Sequence, residues 1–159
     1  MSIAVFAGTF DPFTLGHSDI VKRASKIFDK VIVAVASDNN KSLTRPIETR
    51  MEIVKVSVDG IKGVCVEAFD GFLADFVKKV GADVIIRGLR SGVDFEYERP
   101  LCEVYREQNT DLECLYLIAD RNVSHISSSI VRQIVSLGGN IGGYICPNAE
   151  KLILEFYKS

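Results

Sequence analysis

Ile3-Ala4-Val5-Phe6-Ala7-Gly8-Thr9-Phe10-Asp11-Pro12-Phe13-Thr14-Leu15-Gly16-His17 is the stretch on which the fold turns. Its first four residues are an apolar run of the length of a buried strand. Its end opens an amphipathic segment in which Ile20, Val21, Ala24, Ile27 and Phe28 recur at helical spacing until Asp29-Lys30 closes it. Residues 31–36 are apolar at every position, so strand, loop, helix and strand succeed one another. The alternation continues, with runs 64–68, 84–86 and 115–118 reading as further strands. Between them, Pro46 sits where a first helical turn tolerates it and Glu48 suits the positive helix end, while Ile47, Met51, Val54 and Val58 continue at steps of three and four. Phe72, Phe76, Val77 and Val80 form a third stripe, which Gly81 ends in the manner of a C-terminal cap. Amphipathic segments over about 94–108 and 127–137, the latter stopping at Gly138-Gly139, and a short one over about 148–157 complete the pattern.

Strands apolar on both faces and alternating with helices predict an α/β fold, a doubly wound five-stranded parallel sheet covered on both sides. In such a sheet the ligand site lies beyond the carboxyl ends of the strands. That places loops 7–17, 37–46, 69–72, 87–94 and 119–129 around one crevice. No repeat, low-complexity tract or linker divides the 159 residues, so a single domain over 1–159 is expected.

Composition narrows the function classes. Hydrophobic residues make up 47% of the chain and charged ones 25%, which is enough apolar mass for a core. Nineteen basic residues against 21 acidic ones give net charge −2, and the pI is near 5.7, which argues against nucleic acid as a partner. Any anion must therefore be met locally. No apolar stretch approaches the roughly 20 residues of a membrane helix and nothing marks the N-terminus for export, so a cytoplasmic protein that does not enter membranes is expected. Cys65, Cys102, Cys114 and Cys146 are widely spaced without a C-x-x-C pair and read as buried free thiols, and no metal site is expected from protein ligands.

Three clusters carry candidate chemistry. Neither G-x-G-x-x-G nor G-x-x-x-x-G-K-[ST] occurs. The first strand leads instead into the loop from Gly8 to His17, whose glycines permit close backbone approach and whose end, at a helix start, offers unpaired N–H groups to an anion. Arg87-Gly88-Leu89-Arg90 comes directly after the fourth strand and sets two guanidinium forks, suited to phosphate, beside a glycine. A salt bridge to Asp94, Glu96 or Glu98 accounts for one of these arginines better than for both. Lys41 adds a mobile point charge after the second strand. The third cluster is Ser124-His125-Ile126-Ser127-Ser128-Ser129. One serine suffices to cap the next helix, whereas three in succession suit the outer phosphates of a nucleoside triphosphate. No G-x-S-x-G elbow points to a serine nucleophile.

Thr14-Leu15-Gly16-His17 resembles the T-x-G-H motif of the nucleotidyltransferase superfamily, and Ile126-Ser127-Ser128-Ser129 resembles its I-S-S-S motif. Residues 8–12, 86–90 and Asp94-Phe95-Glu96-Tyr97-Glu98 resemble the bacterial phosphopantetheine adenylyltransferases in particular. The resemblance implies a Rossmann-like nucleotidyltransferase fold and transfer of AMP from ATP, accompanied by Mg2+, to 4'-phosphopantetheine, giving dephospho-coenzyme A and pyrophosphate. By motif position it implies that Thr9, His17, Lys41 and Arg90 serve the reacting phosphates. Thr9, Phe10, His17, Gly88, Leu89, Arg90, Glu98, Val123, Ser124, His125, Ile126, Ser127, Ser128 and Ser129 are implied at ATP, and Thr9, Lys41, Leu73 and Arg87 at the acceptor. It further implies a homo-hexamer and feedback inhibition by coenzyme A. Val123 stands where some members carry an aromatic residue, and Gly71 where an acidic one occurs.

A phosphate monoester is already anionic near neutral pH, so the implied in-line attack needs positioning and charge neutralisation rather than a strong base or a covalent intermediate. The helix start disfavours a charged His17 while a triphosphate favours it, which leaves its protonation state open. Two other readings stand beside this one: a superfamily relative that transfers AMP or CMP to another acceptor, and a nucleotide-binding module on the same fold without chemistry.

Overall fold

A computed structural model describes residues 1–37 and 45–158. Five strands, β1 (Ile3–Gly8), β2 (Lys30–Ala36), β3 (Val64–Phe69), β4 (Val84–Leu89) and β5 (Glu113–Ile118), form one parallel sheet in the order β3-β2-β1-β4-β5. Helices α1 (Leu15–Ala24), α2 (Ile47–Val58), α3 (Leu73–Lys79), α4 (Gly92–Gln108), α5 (Ser128–Ser136) and α6 (Glu150–Tyr157) make the connections and the closing segment. The chain winds outward from β1 to β3, then returns to the other side of β1 for β4 and β5. The strand order therefore reverses between β1 and β4, where a doubly wound sheet binds its ligand.

The register opens that place. β1 stays paired with β2 from Ile3↔Lys30 to Gly8↔Val35, but with β4 only from Ala4↔Val84 to Phe6↔Ile86. β4 meanwhile remains paired with β5 as far as Leu89↔Ile118. Beyond Phe6 and Ile86 the two central strands part, and a gap opens between them.

Strand alternation divides the core in two. Ala4, Phe6, Val31, Val33 and Val35 pack with α1, α2, α5 and α6 on one face, while Val5, Ala7, Ile32 and Ala34 pack with α3 on the other. Coverage of the sheet is not complete, contrary to the expectation from sequence. α4 buries none of its residues, and Leu115 and Ile118 of β5 are 44% and 73% exposed, with Val93 and Tyr97 also open. Apolar residues in β5 mark a buried strand only if something covers them, and among the described residues nothing covers Leu115 and Ile118.

Helix ends obey their caps, with two differences from the sequence pattern. α1 stops at Ala24 although the apolar stripe runs on to Phe28. There the N–H groups of Lys26 and Ile27 turn to carbonyls three residues back, which tightens the last turn, and Ile27 is 60% exposed. Pro100 lies inside α4, where its missing N–H leaves one helical bond unmade. α5 ends as expected, with Gly138 at φ 72° just beyond it. The cysteines require a correction: Cys102 and Cys114 are joined in a disulfide, while Cys65 and Cys146 are free. Consecutive elements α4 and β5 lie side by side with these two Cα atoms 6.2 Å apart, a proximity that wide sequence spacing conceals. Among the described residues no helix is long and apolar enough to cross a membrane.

The end of α6 is tied to the loop after β1. Tyr157 donates its hydroxyl to the buried carboxylate of Asp11, and Arg45 donates its backbone N–H to the same oxygen at 3.4 Å. Arg132 donates to the Asp11 carbonyl and stands 3.9 Å from its carboxylate. Burial, then the hydrogen bond to Asp11, push the Tyr157 phenol well above its ordinary range, so it remains a donor. Removing that hydroxyl leaves a buried carboxylate short of a donor. Tyr157→Phe is expected to lower unfolding stability by about 1–3 kcal/mol in urea titrations at unchanged slope. A loss below about 0.5 kcal/mol, the scatter of ordinary surface changes, rules out a holding role for this bond.

Candidate active site

A crevice of about 350 Å³ occupies the gap between β1 and β4, within the range of small-molecule sites. Gly8, Thr9 and Phe10 form its floor at the end of β1. Gly8 is required there, since a Cβ would lie 2.9 Å from the Phe10 ring. Gly16 is under no such demand within the chain, because a Cβ there would meet only ordinary contacts at 3.5 Å or more.

The three-residue spacing of Thr14 and His17 is that of a capping box. Thr14 is the N-cap of α1 and His17 its third residue, and the Thr14 N–H donates to His17 Nδ1 at 3.0 Å. That bond fixes the tautomer: Nδ1 accepts, so the ring proton sits on Nε2, which remains available as a donor. Phe10, Phe13 and Phe6 surround the ring at centroid distances of 5.1, 5.3 and 6.2 Å. Desolvation by this setting, and secondarily the positive charge of Arg90, lower the His17 pKa to about 4. The protonation state left open by the sequence is thus neutral in the ligand-free chain.

Both arginines border the crevice, and both are paired, where the sequence favours one pairing at most. Arg87 Nε donates to Glu98 at 2.6 Å, and another of its nitrogens donates to the Ala7 carbonyl at 3.0 Å. Ala7 lies just past the last β1–β4 pair, so this guanidinium stands in for the missing strand partner. Arg90 reaches both carboxylate oxygens of Asp94 at 3.2 Å. The Arg87–Glu98 pair is largely enclosed, whereas Arg90 is about half exposed.

The serines divide their tasks. Ser127 caps α5 by accepting the Ile130 N–H at 3.2 Å, and Ser128 donates to the Pro12 carbonyl at 2.8 Å, tying α5 to the first loop. Both line the crevice together with Val123 and Ile126. Ser124 donates to the Arg121 carbonyl, His125 packs against Tyr144, and the Ser129 hydroxyl accepts from Arg132; none of the three lines the crevice. Leu89 does not line it either. Leu73, the first residue of α3, lies in the core with Phe76 and Val77 rather than at the crevice. Lys41 lies outside the described residues. Two participants lack an assigned role in the sequence reading, Thr14, which enters it only as the first letter of the T-x-G-H motif, and Arg50. Thr14 is legible from capping-box arithmetic, whereas Arg50, bonded to the Thr9 carbonyl at 2.7 Å, has no local signal.

The neutral His17 carries a pH signature. The unfolded imidazole takes up its proton near pH 6.5 and the folded one near 4, so stability falls as pH drops between these values and levels off below. An imidazole NMR titration is expected to show the His17 midpoint at about 4, and the urea midpoint of the parent should fall more over this window than that of His17→Gln. A midpoint near 6.5 means that burial and the charge of Arg90 do not hold the ring neutral.

The Cytidylyltransferase-like family model matches residues 5–134. A phosphopantetheine adenylyltransferase of Moorella thermoacetica is 45% identical over 157 residues, covering 99% of this chain and 98% of that one. Another, of Ralstonia pickettii, is 45% identical over 155 residues, covering 98% and 93%. The crystal structure of a protein described as a nicotinate-nucleotide adenylyltransferase, from Vibrio parahaemolyticus, superposes with a TM-score of 0.78 at 19% identity over 100% of this chain and 97% of that one, a likeness of fold. Matched over nearly its whole length at such identity, the chain belongs to the phosphopantetheine adenylyltransferase family of cytidylyltransferase-like proteins.

Proposed function

We propose that this chain transfers an adenylyl group from ATP to 4'-phosphopantetheine, forming dephospho-coenzyme A and pyrophosphate. The carrying observation is the meeting, at the β1/β4 switch point, of two guanidinium groups with a neutral imidazole whose Nε2 donor is fixed by a helix cap. In the reaction a phosphate oxygen of the acceptor attacks the α-phosphorus, a P–O bond forms, and the bond to the bridging oxygen of pyrophosphate breaks. No proton has to be removed from the dianionic nucleophile. The protein's work is to hold the two phosphates in line and to meet the charge that gathers on the α-phosphoryl oxygens.

His17 Nε2–H supplies a donor at those oxygens, and Thr9 flanks it. Arg87 faces the acceptor phosphate, with Lys41 assigned to the same anion, while Arg90 and the α5 start with Ser127 and Ser128 face the triphosphate. Glu98, Gly88, Val123 and Ile126 border the nucleotide. Ser124 and His125, in the loop before α5, and Ser129, in its first turn, join the site only if that segment closes on ATP. Leu73 reaches the acceptor only through its main chain. The described residues hold no cluster of three metal ligands, and the one carboxylate in the lining is Glu98. That suits Mg2+ carried on the ATP phosphates, where it would shield their charge, rather than held in a protein cage. Coenzyme A contains both halves of the product and competes for the same crevice.

Mixing the protein with ATP, Mg2+ and 4'-phosphopantetheine is expected to yield dephospho-coenzyme A by mass, with His17→Ala lowering kcat on the order of 100-fold and changing each KM far less. Absence of that product from the parent protein refutes the reading. A near-normal kcat in His17→Ala returns His17 to a purely structural role at the helix start.

We infer a homo-hexamer on the same family grounds, supported by the uncovered apolar residues of β5 and α4, which a neighbouring copy would bury. Light scattering should give about six times the 17.6 kDa chain mass. A stable monomer at micromolar concentration is the contrary result.

A further inference from the structure

Arg50 of α2 is 1% exposed, and among the described residues it forms no ion pair. Its hydrogen bonds go to three carbonyls: Nε to Arg45 at 2.8 Å, and one terminal nitrogen to Thr9 at 2.7 Å and Ala36 at 2.9 Å. A cation buried against carbonyl dipoles alone is expensive compared with an apolar residue on the same helix face, beside Ile53 and Val54. Its place suggests what it secures. The last β1–β2 pair is Gly8↔Val35, and Thr9 and Ala36 are the next residues on each strand. The guanidinium therefore closes the ladder where it ends and holds the Thr9 carbonyl on the β2 side of β1.

A trans peptide is planar, with its N–H opposed to its C=O. With the Thr9 carbonyl turned toward β2, the Phe10 N–H points the other way, toward β4 and the crevice that Thr9 and Phe10 line. No acceptor among the described residues takes that N–H. The peptide is not in a relaxed setting. Phe10 sits at φ 50°, a left-handed conformation that costs a side-chain-bearing residue on the order of 1–3 kcal/mol and persists only where surroundings impose it. Ring contacts with Phe6 and Phe13, each at 5.4 Å, hold the side chain, and Arg50 holds the preceding carbonyl.

We propose that Arg50 is a positioning residue that, by fixing the Thr9 carbonyl, aims the Phe10 N–H into the crevice as a backbone donor to the α-phosphoryl oxygens beside His17. This rests on the adenylyl-transfer reading. An N–H whose orientation is set before substrate arrives needs no reorganisation during reaction, the condition under which such a donor acts on the transition state. His17 lines the same crevice, its ring edge-on to that of Phe10, so its Nε2 donor and the Phe10 N–H serve one site in this proposal.

Two altered proteins test it against the active parent. Arg50→Lys keeps the buried charge but has one donor nitrogen where the guanidinium spans the three carbonyls with two. A second protein carries the α-hydroxy acid analogue of phenylalanine at position 10, which replaces the amide N–H by an ester oxygen. With native circular dichroism confirmed, each is expected to lose on the order of tenfold or more in kcat, with KM for ATP and acceptor held within about threefold. Combining them should add less than about a further twofold, because both remove one donor. The proposal is overturned by a folded Arg50→Lys with kcat within about twofold of the parent, by an ester protein at parental kcat, by losses confined to KM, or by multiplicative effects. An Arg50→Lys chain that does not fold makes the residue structural and overturns it equally. An inactive parent would instead strike the adenylyl-transfer reading itself.

Discussion

A parallel ladder has to stop where the sheet opens for a ligand, and each strand that stops there leaves carbonyls and N–H groups without strand partners. Buried ones need other donors, while the groups facing the ligand must stay unpaired. At the end of β1 the carbonyls of Ala7 and Thr9 meet this constraint on opposite sides, one bonded to Arg87 across the gap toward β4 and the other to Arg50 on the β2 side. Two arginines thus finish the main chain where strands cannot. One remains in the crevice wall, and the other is sealed behind it.

The same economy governs His17. Its Nδ1 completes a helix cap, so the ring is held by main-chain geometry rather than by a carboxylate partner. A carboxylate would have stabilised the imidazolium, whereas an N–H donor together with aromatic burial and Arg90 excludes it. Positive charge in the crevice therefore resides on guanidinium groups, which keep it at any working pH. The histidine contributes a neutral donor of fixed direction. A chain with net charge −2 meets an anion through this local arrangement and not through its overall field.

Much of this is legible in the sequence because it rests on short-range rules. The strand runs are short and mostly apolar, Gly81 and Gly138 end helices in the left-handed conformation, and the crevice forms from the loops after β1, β4 and β5, although loop 69–72, expected beside them, does not line it. The features that a linear reading misses depend on contacts between distant segments. Arg50 is separated by 41 residues from the Thr9 carbonyl it binds, and Asp11 by 146 from Tyr157. The disulfide joins residues whose spacing has no recognisable motif. β5 misleads for a different reason: its apolar content reads as burial within one chain, and hydrophobicity says only that a surface seeks cover, not which chain supplies it.

α4 shows how weakly one wall of the crevice is attached. None of its residues is fully buried, so the position of Glu98 rests on the Ser91 cap, the pairs Arg87–Glu98 and Arg106–Glu113, the disulfide at Cys102, Tyr105 against Phe72 and the core on the α3 face, and the ring contact of Phe95 with Tyr116. Elements held by so few contacts occupy the low-stability end of a structure. Where cellular thiols keep cysteines reduced, the covalent tie is absent and the ion pair carries more of that duty. An anion that draws on Arg87 then acts on the helix as well as on its own site, because the guanidinium that would receive it is the one that holds Glu98 and closes the Ala7 carbonyl. Under the proposed assignment of Arg87 to the acceptor phosphate, acceptor recognition and the position of the α4 wall become a single electrostatic problem, set by one arginine at the point where the central strands part.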